Sequence, residues 1–559
     1  MMKKILVALF AFSTSLCTMA QSKADYNVVP LPKSIDYTDS TQSYTLSDGF
    51  TIAYPSGNVE VARNANFLKT YIKEQTGLES LVEDATSKEG KKAAITLQLR
   101  NAKQQTANSE AYTITVSKKG IVVTANTDEG IFRAIQTLRK SLPLPSASAK
   151  KSKTESTGSE AVAFPFVTIN DEPRFGYRGQ HLDVARHYFD ADFIKRFIDI
   201  LALHGVNQFH WHITDDQGWR FEVKSMPELA KRACIRSKTV LGHNCYSKNE
   251  YLYDNTEYGR DCYYTQQQMR EIVRYAADRY INIIPEIDLP GHMVAALSVL
   301  PELGCTGGPY EPWPLWGVSD DVLCAGNPKT LEFLKTVLGE VCDVFPSKYI
   351  HIGGDESPRV RWQHCPKCQA KMKALGLKKE AELQTYINKE LDKFLTEKGR
   401  TLIGWDETLE GGLSENAVVM SWRGYEGGIE AARQHHPVIM TPTGNCYIDY
   451  YQLKGETNTQ PLAIGGYLPV SKVYSMEPVP DKLTAEEQQY IWGPQCNLWT
   501  EYVLSSDHVE FMLLPRLAAM SEVQWLNPEQ KDFKAFEQRL KRLQKLYDLN
   551  GYKYCGKYE

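Results

Sequence analysis

The segment His351-Ile352-Gly353-Gly354-Asp355-Glu356 sets two carboxylates side by side, just beyond a short apolar run and a glycine pair. An apolar run bounded by glycines predicts a buried parallel strand ending in a loop. Adjacent residues on a regular strand point to opposite faces. Both acids can therefore serve one site only where the strand breaks, and the glycines permit that break. Alone, an Asp-Glu pair reads as a solvated acidic loop. Seven other apolar runs, however, end in similar chemistry. They close on Leu182-Asp183-Val184-Ala185-Arg186-His187, on His210-Trp211-His212-Ile213-Thr214-Asp215-Asp216, and on Glu286-Ile287-Asp288-Leu289-Pro290-Gly291-His292. Trp405-Asp406-Glu407, Ser421-Trp422-Arg423, Tyr447-Ile448-Asp449 and Trp499-Thr500-Glu501 complete the set. Indole faces stack on the apolar C–H face of a pyranose, and carboxylates and Arg bind its hydroxyls. One Trp alone would be packing. Three at the same end of successive strands, with Arg186 and several acids, imply a sugar pocket.

Elements that could hold these groups follow from the alternation of strand-like and helical runs after Asp171. Strands are predicted to end near Asp183, Thr214, Asp288, Gly353, Trp405, Trp422, Asp449 and Trp499. Helices are expected at Asp192–His204, Thr265–Tyr280, Lys329–Val344, Glu380–Lys398, Gly427–Gln434 and His508–Trp525. Eight strands over this span suit a (β/α)₈ barrel, in which catalytic side chains project from the strand ends. A doubly wound open sheet would want a Gly-rich phosphate turn after the first strand, and the sequence has none. Before the barrel (171–526), residues 21–170 read as a small α/β domain. Its expected strands are Ala94–Leu99, Tyr112–Val116, Gly120–Ala125 and Phe164–Ile169, with helical spacing at Asn64–Gln75 and Glu129–Leu142. A polar run near 146–160 reads as an insertion, and 527–559 as a C-terminal tail with a charged amphipathic helix at Asp532–Tyr547.

The 559 residues carry 42% apolar residues, enough for a full core, with 10 Trp and 31 Tyr. A net charge of −4 gives no electrostatic case for nucleic acid or an anionic membrane. Lys3-Lys4, the apolar run Ile5 to Phe12 and Thr18-Met19-Ala20 before Gln21 predict a signal peptide over 1–20, too short to span a bilayer. Leu16 argues against a lipoprotein at Cys17. Export is expected, with the periplasm as destination. Removal of Cys17 leaves eleven of the 12 cysteines, and Cys245/Cys262 and Cys305/Cys324 are the expected disulfides. Cys365-Pro366-Lys367-Cys368 has no second Cys-x-x-Cys to complete a zinc site, so a local disulfide or free thiols is expected there.

His210-x-His212 on a barrel strand could bind a divalent metal. That chemistry needs further His or Lys ligands on later strands, whereas the fifth and sixth end in Trp405 and Trp422, and His435 and His436 precede the seventh. A buried polar network is the expected role for the pair, and no metal or cofactor is expected.

In combination, Leu-Asp-x-x-Arg-His, His-Trp-His-x-x-Asp-Asp, Pro-Gly-His, His-x-Gly-Gly-Asp-Glu and Leu-Trp-x-Glu make the chain resemble the family 20 glycoside hydrolases, the β-N-acetylhexosaminidases, from about Tyr26 to Trp525. The resemblance implies a (β/α)₈ catalytic barrel preceded by a small α+β, zincin-like non-catalytic domain. It also implies an exo-acting retaining hydrolase in which the substrate's own 2-acetamido oxygen attacks the anomeric carbon through an oxazolinium intermediate. Glu356 would be the general acid and then base, and Asp355 would orient the acetamide. Tyr447 would donate a hydrogen bond to the acetamide oxygen. Trp405, Trp422 and Trp499 would wall the pocket, and Arg186, Asp449 and Glu501 would hold sugar hydroxyls. Asp215 and His292 resemble the family's pair supporting the acid, although such a pair also simply satisfies buried polar groups. The implied partner is a glycan with a terminal β-linked N-acetylhexosamine. A covalent retaining mechanism would need a carboxylate nucleophile on the seventh strand, which offers Tyr447 and Asp449 instead. A binding-only relative would have lost the acids, and a lacto-N-biosidase-like relative would release a disaccharide.

Overall fold

The computed structural model describes residues 22–144, 161–246, 250–254, 256–455 and 459–557. The expected signal peptide, Cys17 and the polar insertion lie outside the described residues.

Eight strands between Ser22 and Asp171 form the first sheet, and two helices, Val59–Thr76 and Asp128–Ser141, share its core. Asn58 caps the first helix by accepting from Val61 N–H, and Gly77 ends it in the left-handed region at φ 74°. Three of the longer strands had no clear signature in the sequence: Ser34–Leu46, Phe50–Tyr54 and Ser80–Asp84. Ser34–Leu46 pairs only with Val162–Asp171, and two register shifts interrupt its alternation. Ser80–Asp84 is the outermost strand of the sheet and buries only Ser80. Ser34–Leu46 and Ser80–Asp84 bury too little apolar surface to show a period of two, whereas Phe50–Tyr54 is an inner strand that buries Phe50, Ile52 and Ala53.

Eight parallel strands close the second sheet: β1 (Gly179–Asp183), β2 (Gln208–Asp215), β3 (Asn282–Ile287), β4 (Tyr349–His351), β5 (Thr401–Trp405), β6 (Val418–Ser421), β7 (Val438–Met440) and β8 (Ile491–Cys496). Gln495 of β8 pairs with Gly179 of β1, so the ring is complete and the fold is a (β/α)₈ barrel. Strand seven ends earlier than expected. Pro442, which cannot donate to the ladder, begins a short helical turn at Thr443–Cys446, and pairing resumes when Ile448 N–H donates to Asn497 O at 2.9 Å. Tyr447 and Asp449 thus stand on a second layer beyond β7. The expected helix His508–Trp525 is two, Ser506–Leu513 and Arg516–Trp525, interrupted at Leu514-Pro515.

The small domain docks at the N-terminal ends of the barrel strands, away from the predicted site. Phe132 of its second helix packs on Tyr280, just before β3, with ring centroids 5.4 Å apart. Lys140 Nζ donates to Leu203 O, shortly before β2. Buried Glu110 accepts from Arg133 Nε at 2.8 Å and from Arg178 Nη1, just before β1, at 2.9 Å. Burial would raise the Glu110 carboxyl, but the two guanidiniums hold it down at about 2. Arg133 also pairs with Glu129 at 2.6 Å, so it is loss of Glu110 that would leave Arg178 buried without its counter-ion.

No disulfide joins any pair among the described cysteines. Cys245 lies against the Tyr502 hydroxyl at 3.5 Å rather than bonding Cys262. Cys305 and Cys324 come together, but with Cys365 and Cys368 beside them. The expected disulfides are therefore corrected: Cys245 and Cys262 are unbonded, and Cys305 and Cys324 meet without bonding, beside two sulfurs from a second segment.

Candidate active site

The site is built around the break at the end of β4. Gly353 and Gly354 take φ 64° and 95°, and a Cβ at Gly353 would lie 1.7 Å from Asp288 Oδ1, so only glycine fits there. Gly354 N–H donates to that oxygen at 3.1 Å, and Gln384 Nε2 donates to Gly354 O at 2.6 Å. Glu356 itself sits at φ 42°, a left-handed conformation uncommon outside glycine. The turn brings both acids to one side. Asp355 keeps only 12% of its side chain exposed, whereas Glu356 keeps 43%. Asp355 thus lies deeper in the turn, and Glu356 lies nearer its open side.

Loss of water raises the Glu356 carboxyl, and the Asp355 charge raises it further, against the opposing pull of His292 and Arg186. Burial likewise raises Asp355, which His292 partly offsets. His292 Nε2 stands 3.8 Å from Glu356 Oε2 and 4.0 Å from Asp355 Oδ2. Its Nδ1 meets Asp215 Oδ1 at 3.1 Å and Asp216 Oδ2 at 3.3 Å. Burial alone would push His292 down, yet Asp215, Asp216 and Asp288 together hold it well above its ordinary value. Asp215 also pairs with Arg186 Nη2 at 2.9 Å and with His212 Nε2 at 2.9 Å. Arg186 is fixed in turn by Asp183 at 3.2 Å and by Gln217. A continuous chain of charge runs from Arg186 through Asp215 and His292 to the two acids.

Around them lies a cavity of about 270 Å³ whose lining includes Arg186, Asp355, Glu356, Trp422, Tyr447, Asp449, Trp499 and Glu501. The Trp422 and Tyr447 rings stack at 6.1 Å and 25°. The Arg186 guanidinium lies over Trp499, 5.1 Å from the ring centre. Burial, with the charges of Asp449 and Asp355, holds the Tyr447 phenol well above its ordinary value, so it remains a donor. Asp449 Oδ1 and Asp355 Oδ1 are buried and accept no hydrogen bond from the described residues, which leaves both for a ligand's N–H or O–H groups. A cavity of about 350 Å³ at the opposite barrel end, beside Asn207 and Asn282, is larger, but Glu129 is its only acid.

Trp405 stands apart from the other two indoles. It is 1% exposed, donates its N–H to Glu286 Oε1 at 3.0 Å and packs on Trp499 at 5.9 Å, so it underlies the wall rather than forming it. His210 and His212 share one strand face by the period of two, with Trp211 on the other. Both reach Glu286, at 2.9 and 2.7 Å, in a buried network that also takes the Trp405 indole. Glu286 is thereby kept ionised well below its usual range, since the histidines outweigh its burial.

Three further residues, to which the sequence assigns no role, belong to the site. Asp288, raised by burial and by Asp355, accepts from Gly354 N–H and so holds the turn. Glu407, which accepts from Trp422 Nε1 at 2.9 Å, is pushed up to about 8 by burial and by Asp355. Trp316, in the long loop after β3, lines the cavity. Asp288 and Glu407 stand in runs that the sequence marks as strand ends; no local pattern marks Trp316.

The profile of glycosyl hydrolase family 20, catalytic domain, matches residues 175–528, and that of glycosyl hydrolase family 20, domain 2, matches 25–172. The chain belongs to glycosyl hydrolase family 20. A β-hexosaminidase of Porphyromonas gingivalis is 39% identical over 94% of this chain and 64% of its own length, so the chain spans under two thirds of that relative. A β-hexosaminidase of Vibrio furnissii is 33% identical over 90% of the chain and 77% of its own. A mutant Streptomyces plicatus β-hexosaminidase, solved in complex with product GlcNAc, superposes with a TM-score of 0.78 at 28% identity, covering 95% of this chain and 96% of that one. In this family 20 chain, both domains and the full ring of strand ends are present. Among the described residues no helix is long and apolar enough to cross a membrane.

Proposed function

We propose that the chain is an exo-acting, retaining β-N-acetylhexosaminidase that removes terminal β-linked GlcNAc or GalNAc by substrate-assisted catalysis. The observation that carries this reading is the pairing of a buried Asp355 with a half-exposed Glu356 in one pocket walled by Trp422, Tyr447 and Trp499. Glu356 protonates the leaving oxygen and later deprotonates the incoming water. Asp355 accepts from the acetamide N–H and balances the charge that grows there, while Tyr447 donates to the acetamide oxygen. That oxygen, held at near-attack distance, is the nucleophile. Arg186, Asp449 and Glu501 take the sugar hydroxyls. A cavity of about 270 Å³, just under the usual range of about 300–1,000 Å³, favours one sugar over a disaccharide. The N-terminal pattern of basic and apolar residues supports export to the periplasm.

The test is hydrolysis of 4-nitrophenyl β-N-acetylglucosaminide and galactosaminide with and without a thiazoline mimic of the oxazoline. Turnover blocked competitively by the mimic is expected. Turnover indifferent to it would mean another mechanism, and turnover of neither sugar would favour a disaccharide-releasing or binding-only protein.

His292 makes the pH profile diagnostic. Asp355 must be ionised, so its titration sets the acid limb of kcat/KM; Glu356 must be protonated, so its titration sets the alkaline limb. The positive His292 lowers both. His292→Asn is therefore expected to move the whole bell to higher pH, the two limbs shifting together as properties of the coupled pair. Limbs that stay in place would show that His292 carries no charge in the free enzyme.

A further inference from the structure

We propose that Cys305, Cys324, Cys365 and Cys368 bind a structural zinc ion. Cys305 and Cys324 lie in the long loop after β3, and Cys365 and Cys368 flank and enter the helix Pro366–Leu375 beyond β4. The four sulfurs all lie within 4.8 Å of one another, with separations of 3.9 Å for Cys305–Cys368 and 3.7 Å for both Cys324–Cys365 and Cys324–Cys368. A disulfide needs about 2.05 Å. A tetrahedron of Zn–S bonds of about 2.3 Å has edges of about 3.8 Å. The observed spacing is that of ligands around one centre, not of bonded pairs.

Chemistry and setting agree with the spacing. Four thiolates in a tetrahedron select zinc among divalent ions that need no redox partner. Cys365 precedes the first turn of its helix and Cys368 lies within it, so one helix start presents both sulfurs to the cluster. Cys324 and Cys368 are fully buried, Cys365 is 5% exposed and Cys305 is partly buried, so no coordination position opens to substrate. Such a closed site is structural.

Its place explains what it would hold. Leu323 N–H donates to Pro290 O, tying this loop to the Pro290-Gly291-His292 turn. Trp362 Nε1 donates to Leu323 O at 2.9 Å, and Arg361 pairs with Asp321 at 2.8 Å. At Gly326 a Cβ would lie 2.1 Å from the Lys367 carbonyl carbon, so the two segments are in backbone contact. The ion would clamp the loop carrying His292 and Trp316 to the segment that follows Asp355 and Glu356.

Elemental analysis of the intact purified chain, prepared without chelator, is expected to find about one zinc per chain. Cobalt exchanged into the protein should show the thiolate-to-cobalt charge-transfer and d–d bands of tetrahedral sulfur ligation. Cys365→Ser/Cys368→Ser should lose the metal. Because that variant could misfold, the wild-type readouts decide. No zinc, with the mass under non-reducing conditions short by the hydrogens of two disulfides, would overturn the proposal. So would no zinc with all four thiols open to alkylation, and iron in zinc's place would overturn the choice of metal.

Discussion

Glu356→Gln is expected to lower kcat/KM for a glycoside with a poor leaving group by about 10²–10⁴-fold, the usual contribution of a positioned general acid. That corresponds to about 2.7–5.5 kcal/mol of transition-state stabilisation. The amide keeps the shape of the side chain at its strained φ of 42° but has no proton acidic enough to give. The decisive arm is the leaving group. A dinitrophenolate departs without protonation, so the variant should form the oxazolinium from that substrate at nearly the wild-type rate, leaving kcat/KM little changed. Deglycosylation, which needs Glu356 as base, should then limit kcat. Equal losses on both substrates would mean that Glu356 serves binding or folding rather than proton transfer. Circular dichroism would report a folding defect, although a half-exposed side chain makes few packing contacts to lose.

Asp355→Asn should cost about 10²–10³-fold in kcat, the scale measured when one preorganised partner of a developing charge is removed. Positive charge grows on the acetamide nitrogen as its oxygen attacks, and a neutral amide cannot balance it. The buried setting magnifies the loss, since Asp355 works with little screening by water. A protonated thiazoline carries the same charge as the intermediate and should lose affinity by a similar factor, while uncharged GlcNAc loses much less. A variant that binds the thiazoline as tightly as wild type would overturn the role assigned to Asp355. Loss of both ligands alike would instead indicate collapse of the pocket. The substitution has a second consequence: removing the Asp355 charge takes away one of the causes that raise Glu356, so the alkaline limb of the residual activity should fall to lower pH.

Much of this protein is written in local sequence. The barrel follows from eight apolar runs with helical segments between most of them, because a parallel strand buried on both faces must be nearly continuous in hydrophobic residues. The acid pair follows from its glycines, since nothing else could turn the chain at the end of β4; and the period of two placed His210 and His212 on one face. Local pattern did not reach the edge strands of the small domain, which bury too little to show a period. Nor did it show the early end of β7 at Pro442, where Tyr447 and Asp449 moved to a second layer. Trp405 looked like the other two indoles in sequence, and only the packing of β5 against Glu286 and Trp499 put it beneath the wall. Asp288 and Trp316 join the site from the long stretch after β3, and Glu407 from the turn after β5. The cysteines make the same point most sharply. Cys-Pro-Lys-Cys seemed to lack its other half because that half, Cys305 and Cys324, is remote in sequence and adjacent only after β3 and β4 pair in the barrel. Periodicity records which face of an element is buried; which loops meet above the barrel is decided by strand order and closure, and no local run of residues encodes that.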